Sequence, residues 1–174
     1  AVRRYLVANL HEGVIEDLAL DVAFTGADLM AAVSGGPIPD STAAIRFAVR
    51  DATLRVAEGL PPLTNLDAAG TVTGTRVDLR TKRGEVAFGQ GRALVLQDGS
   101  FRMADTWADH AEADIAFRLG GPADALGALL QTPLFAGVAG VSFDPASIKG
   151  STDLRVALAL PIDRIPSLAD LPMT

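Results

Sequence analysis

The feature that most constrains this chain is an alternation of apolar and polar residues with period two, repeated in one segment after another. In His110-Ala111-Glu112-Ala113-Asp114-Ile115-Ala116-Phe117-Arg118-Leu119 every odd position is apolar, and His110, Glu112, Asp114 and Arg118 stand at even ones. Successive strand side chains point to opposite faces, so such a segment is a strand with one greasy and one wet side. Leu18, Leu20, Val22 and Phe24 alternate in the same way with Asp17, Ala19, Asp21 and Ala23. Ile45, Phe47 and Val49 alternate with Arg46, Ala48 and Arg50, and Val77 and Leu79 with Arg76, Asp78 and Arg80. Leu154, Val156, Leu158 and Leu160 alternate with Asp153, Arg155, Ala157 and Ala159. The pattern predicts about eight short strands, paired antiparallel rather than through βαβ units.

Changes of phase mark where such strands must turn or bulge. After Val49 the apolar set moves from odd to even positions, to Leu54 and Val56, across Asp51-Ala52. A slip of one residue exchanges the two faces, so a turn or bulge belongs there. Gln97-Asp98-Gly99-Ser100 is the strongest hairpin signal, because Asp-Gly supplies the positive φ angles of a tight turn. Arg83-Gly84 is a weaker one. Two segments leave the period. Leu126, Leu129 and Leu130 at i, i+3 and i+4, after Pro122 and before Pro133, predict a short helix. Val2, Leu6 and Leu10 give a second, weaker helical stripe. Leu134 to Val141 reads as a loop or short extended piece. Gly35-Gly36-Pro37-Ile38-Pro39-Asp40 and Leu60-Pro61-Pro62-Leu63 are breaks, and Pro161, Pro166 and Pro172 keep the tail extended or edge-like.

Composition narrows the chemistry. The 174 residues, 49% hydrophobic and 21% charged, suffice for one domain with its own core. The chain has no cysteine, which removes disulfides, thiolate metal sites and cysteine nucleophiles. Its formal charge is −6, and Lys82 and Lys149 are its only lysines. That balance opposes a nucleic-acid binder, which needs a basic field. No apolar run reaches the ~18 residues that span a bilayer. A start at Ala1-Val2-Arg3-Arg4, without Met or an apolar leader, is expected of a segment of a longer chain.

No motif points to catalysis. Asp105, Asp109, His110, Glu112 and Asp114 form the densest polar cluster, but alternation already accounts for them as a solvated strand face. A metal site needs ligands converging from several elements. His110-Ala111-Glu112 matches the start of a zinc deaminase signature whose cysteines are absent. There is no Gly-x-Ser-x-Gly elbow, and His11 falls beside Glu12-Gly13 at an expected turn. Gly70-Thr71-Val72-Thr73-Gly74 and Gly89-Gln90-Gly91 lack the Lys-Ser/Thr of a phosphate loop. Glycine within the first of these suits a curved or bulged strand. No cofactor, metal or catalytic residue is expected. The weakest of the functional readings is a glycan-processing enzyme using surface acids. One-sided strands with few helices to cover them close into a sandwich or stay open as a curved sheet with a groove, and the pattern allows both.

Several segments together resemble AsmA-like proteins of bacterial envelopes. Arg4-Tyr5-Leu6 followed by His11-Glu12-Gly13-Val14-Ile15 is similar to the start of a domain in that family. Val49 to Leu66, with its two extended stretches, Leu60-Pro61-Pro62-Leu63 and a new strand, carries the strongest likeness. Gly70-Thr71-Val72, Val77-Asp78-Leu79, the helix near Ala125 to Leu130, Thr132-Pro133-Leu134 and Gly150 to Pro161 extend it over nearly the whole chain. Gly35-Gly36-Pro37-Ile38-Pro39 departs from the family, which favours an aromatic or apolar residue before proline.

The resemblance is to the middle domain of a large YhdP- or TamB-type chain. It implies an inner-membrane anchor elsewhere in the parent, a periplasmic β-rich body, and no enzymatic activity. It further implies carriage of phospholipid between inner and outer membranes along a hydrophobic groove. The partners so implied are phospholipid acyl chains and neighbouring repeats of the parent, with membrane contact through the parent alone. The alternative is a structural or interaction domain with a closed core that supports cell-envelope assembly. The expected fold is mainly β, a curved antiparallel sheet forming an open groove or half-barrel, with one or two short helices in a single domain over residues 1–174. The expected groove lining is Leu18, Leu20, Val22, Phe24, Ile45, Phe47, Val49, Ile115, Phe117, Val156, Leu158 and Leu160.

Overall fold

The computed structural model describes residues 10–56, 59–108, 110–133, 135 and 144–162. Its strands are β1 (Leu10–His11), β2 (Val14–Val22), β3 (Ala43–Leu54), β4 (Leu63–Thr73), β5 (Val77–Ala87), β6 (Ala93–Met103), β7 (Ala111–Pro122) and β8 (Ser151–Ile162). All pairing is antiparallel, and β3 to β8 follow one another across the sheet in sequence order. Both β1 and β2 pair with β3, so together they make one interrupted edge strand of a seven-strand sheet. The break falls at Glu12 (φ 59) and Gly13 (φ 96). A Cβ on Gly13 would lie 2.9 Å from Ala52, so the backbone crosses too close for any side chain. At the far edge, among the described residues, β8 pairs only with β7, and the sheet is open rather than closed into a barrel.

Apart from β1, the strands run 9 to 12 residues and are longer than the sequence pattern suggests. The reason is that the phase changes are bulges inside strands. The register of β3 on β4 shifts between Val49 and Ala52, where Asp51 has φ 53. β4 shifts at Asn65 (φ 50), and β6 shifts against β7 between Gln97 and Ser100, at Asp98 (φ 51). Asp and Asn tolerate this left-handed conformation better than other side-chain-bearing residues. Each extra residue exchanges odd and even, so the apolar set passes from Ile45, Phe47 and Val49 to Ala52 and Leu54 without leaving its face. In β6 it passes likewise from Leu94 and Leu96 to Phe101 and Met103. The backbone N–H of Asp51 donates to Asp67 Oδ1 at 3.2 Å, tying the β3 bulge to the next strand. Bulges bend the strands that carry them and increase their local twist.

The expected hairpin at Gln97-Asp98-Gly99-Ser100 is therefore corrected to a bulge within β6, and Arg83-Gly84 lies within β5. Positive φ at an Asp-Gly step serves a bulge as well as a turn. The β5–β6 turn is at Gly89-Gln90-Gly91, with φ of 75, 55 and 74, closed by Phe88 N–H donating to Arg92 O at 2.8 Å. The β4–β5 turn is closed by Thr73 N–H donating to Arg76 O at 2.9 Å.

Helix α1 (Gly26–Val33) connects β2 to β3, and α2 (Ala123–Leu130) follows β7. The second is the helix that the leucine spacing predicts. Ala125 is fully buried against Leu94 and Leu119, with Leu126, Leu129 and Phe117 packed around them. The first is absent from the periodicity reading. Its signal is a capping box, in which Asp28 N–H donates to Thr25 Oγ1 (3.2 Å) and Thr25 N–H donates to Asp28 Oδ2 (2.8 Å). The expected helix from Val2 to Leu10 lies outside the described residues except for Leu10, which belongs to β1. Leu134 to Val141, apart from Phe135, also lies outside them, as do Pro166 and Pro172. Pro161 sits in edge strand β8, where a missing N–H interrupts no ladder. A short 3-10 turn at Pro145–Ser147 packs against α2.

Besides the α2 cluster, two small cores form on the same face. Val77, Met103, Ala111 and Ala113 make one, and Ala52, Leu63 and Leu66 the other.

Candidate functional site

Register turns the alternation into rows. Residues directly opposite across an antiparallel pair share a face, and the pairing joins Leu18, Phe47, Gly70, Leu79, Phe101, Ile115 and Leu158 into one line from edge to edge. A second line joins Leu20, Ile45, Val72, Val77, Met103, Ala113 and Leu160. Six strand spacings of ~4.8 Å make each row roughly 29 Å long. Gly70 is the gap in the first row. A Cβ there would clash with Leu79 Cδ2 and come within 3.1 Å of Phe47 Cζ, so the neighbouring side chains close over it.

The first row is nowhere fully buried: Leu18 is 63% exposed and Leu158 45% exposed, with Phe47, Leu79, Phe101 and Ile115 half-buried between. The second is open at its flanks, at Leu20 (64%) and Leu160 (41%), and sealed at its centre, where Val77, Met103 and Ala113 are buried. The apolar face is thus most exposed along its two edge strands, at Leu18 and Leu20 on one side and Leu158 and Leu160 on the other.

The opposite face is polar and ionic. The row behind the apolar ones runs Ala19, Arg46, Thr71, Asp78, Arg102, Asp114 and Ala159. Arg46 pairs with Asp21 at 2.6 Å, Arg102 with Asp78 at 3.2 Å and Arg50 with Glu16 at 2.5 Å. Arg118 pairs with Asp153, which holds that carboxyl below its ordinary pKa. Exposed pairs of this kind contribute little stability each. Their effect is to fix which side of the sheet faces water.

At the β2–β3 end, the stretch leading into β3 is fastened to the β4–β5 turn through Asp40. Its Oδ1 accepts from Thr73 Oγ1, from Thr75 N–H at 2.8 Å and from Thr75 Oγ1 at 2.9 Å, and its Oδ2 lies 3.0 Å from Arg76 Nε. These donors, the Thr73 hydroxyl first, hold the Asp40 carboxyl below its usual range. Gly74 lies so close under the Ile38 carbonyl that any side chain would collide with it. Trp107 Nε1 donates to Gly74 O at 3.3 Å, and Thr106 N–H donates to Thr75 O at 2.8 Å.

All of the expected lining residues except Phe24 lie on the apolar face. Phe24 falls beyond the end of β2, on the approach to α1, and is 42% exposed. Val22 stands opposite Ala43, Val49 opposite Ile15 and Ala68, and Val156 opposite Phe117. The periodicity reading missed the central residues Val72, Leu79, Phe101 and Met103 as members of the rows, although Leu79, Phe101 and Met103 carry the same alternation. Glu112 stands opposite Pro161, and Asp114 lies between Arg102 and Ala159, so the strand-face acids are spread along β7. Asp109 lies outside the described residues. Among the described residues, no three His, Asp or Glu side chains are gathered to hold a metal ion. No family model matches the chain, and no curated protein or solved structure matches it.

Proposed function

We propose that this chain is a non-enzymatic segment of a periplasmic AsmA-like envelope protein, whose apolar sheet face receives phospholipid acyl chains on their way between inner and outer membranes. The observation that supports the reading most directly is the row from Leu18 to Leu158, apolar throughout and not fully covered at any position. Its roughly 29 Å length compares with a bilayer hydrocarbon core of about 30 Å. It is therefore long enough to lay acyl chains against protein along their whole extent. Such shelter matters because a diacyl lipid crossing water exposes on the order of 30 CH₂ groups at ~0.8 kcal/mol each, roughly 24 kcal/mol. A continuous greasy surface lowers that cost in proportion to the hydrocarbon area it covers, without any reactive group.

The test is photo-cross-linking to phosphatidylethanolamine carrying a diazirine in its acyl chain. Wild-type protein is expected to capture the lipid, and Phe47→Asp and Phe117→Asp to lose most of it while retaining the β-sheet circular dichroism spectrum. Unchanged capture in folded Phe47→Asp protein refutes the assignment. An absence of capture by the wild type leaves the structural or interaction domain as the surviving reading.

A further inference from the structure

We infer that α1 is a lid that closes over the β2–β3 flank of the apolar face. The helix has eight residues and none is buried, with Leu29 55%, Met30 68% and Val33 80% exposed. Isolated helices shorter than about 12–15 residues are marginal in water, and most helical stability comes from packing an apolar stripe. The capping box satisfies its first turn but supplies no packing. The apolar stripe of α1 therefore lacks a partner in the arrangement described.

A matching surface is close by in the chain. Leu18, Leu20 and Val22 of the preceding strand are 63%, 64% and 50% exposed, and Ile45 of the following strand is 40% exposed. Only Ala23, Phe24 and Thr25 separate the end of β2 from the helix. The helix is thus tethered beside the open part of the two rows, and both surfaces lose water-exposed hydrocarbon when they meet.

The connection on the other side is anchored away from the helix. Its base is fixed: Ala23 N–H donates to Thr42 O at 2.8 Å, Thr42 is 3% exposed, Asp40 is held by Thr73, Thr75 and Arg76, and Gly74 sits against Ile38. Between this base and α1 lies Ser34-Gly35-Gly36. Gly35 has φ 74, and the two glycines close the end of the helix, Gly35 N–H donating to Ala32 O at 3.1 Å and Gly36 N–H to Ala31 O at 2.9 Å. A pinned base and a tethered helix with no buried residue are what a closing segment needs.

The inference rests on the reading of the sheet face as a lipid surface, which closure of α1 would regulate by competing with acyl chains for Leu20 and Ile45. The two fail separately in one experiment. The chain has no native cysteine, so the pair Met30→Cys with Ile45→Cys is introduced and its disulfide yield under mild oxidant compared with that of Met30→Cys with Thr71→Cys. Thr71 stands on the polar face, at the same strand height as Arg46. The first pair is expected to close at least tenfold faster, and its oxidised form to lose acyl cross-linking that reductant restores. Equal rates for the two pairs overturn the lid. Leu29→Cys with Leu20→Cys repeats the test should the first pair misfold, and failure of both to close also overturns it. Preferential closure in a protein whose wild type captures no lipid keeps the lid and rejects the lipid reading.

Discussion

Two leucines on the same sheet face are expected to respond in opposite ways to truncation. Leu94 is 1% exposed and packs with Leu119, Ala125 and the α2 leucines. Leu→Ala at such a site removes transfer energy and leaves a cavity, at a cost of 2–5, centrally about 3, kcal/mol. Leu20 is 64% exposed, so little over a third of its side chain has left water. Full burial of a leucine contributes about 1.5–3 kcal/mol, which scales at Leu20 to roughly 0.5–1 kcal/mol. In a chain of this length 1 kcal/mol moves Tm by about 2–4 °C. Leu94→Ala should therefore lower Tm by about 6–12 °C, and Leu20→Ala by no more than about 4 °C. Acyl-chain cross-linking should reverse the order, with Leu20→Ala impaired and Leu94→Ala near wild type at a temperature where both are folded. Differential scanning calorimetry and the diazirine lipid assay read the two quantities on the same samples. Equal destabilisation by the two substitutions would refute the reasoning, because it would mean that Leu20 is sealed in a core.

Other consequences can be measured alongside. Asp40→Ala removes the acceptor shared by Thr73, Thr75 and Arg76, and a loss of about 1–2 kcal/mol is expected in urea melts. The Asp40 carboxyl has its pKa lowered from 3.8 by its hydrogen bonds to Thr73 and Thr75. It therefore stabilises the fold fully above that value and loses the contribution as pH falls through the lower folded-state value. The variant's stability curve should accordingly be flatter than the wild type's below pH 3.8, and parallel curves there would contradict the latch. Asp51→Val places a β-branched residue at φ 53 and should cost about 1–2 kcal/mol, whereas Asp51→Gly should be nearly neutral, as judged by denaturant midpoints. His110→Ala and Glu112→Ala should leave both stability and lipid capture unchanged, and a loss in either assay would reopen a metal or enzymatic role for that strand face.

What the sequence determined by itself was the sidedness of each strand and the places where that sidedness had to be rescued. Alternation is a property of one extended backbone, so Ile45 and Phe47, or Ile115 and Phe117, could each be assigned to the apolar side of their own strand with no knowledge of its neighbours. The parity change after Val49 required an extra residue, and Asp51 is that residue. The Asp98-Gly99 step was misleading because a positive φ angle is a local fact, whereas its use as a turn or a bulge depends on what the flanking strands pair with. Helix α1 was legible only in its cap, because its apolar residues serve no core. Register, cover and openness belonged to the tertiary structure alone. Only pairing between distant segments sets Gly70 between Phe47 and Leu79, places α2 over Leu94 and Leu119, and leaves Leu18, Leu20 and Leu158 bare. Those outcomes are set by non-local contacts, which no stretch of chain encodes on its own.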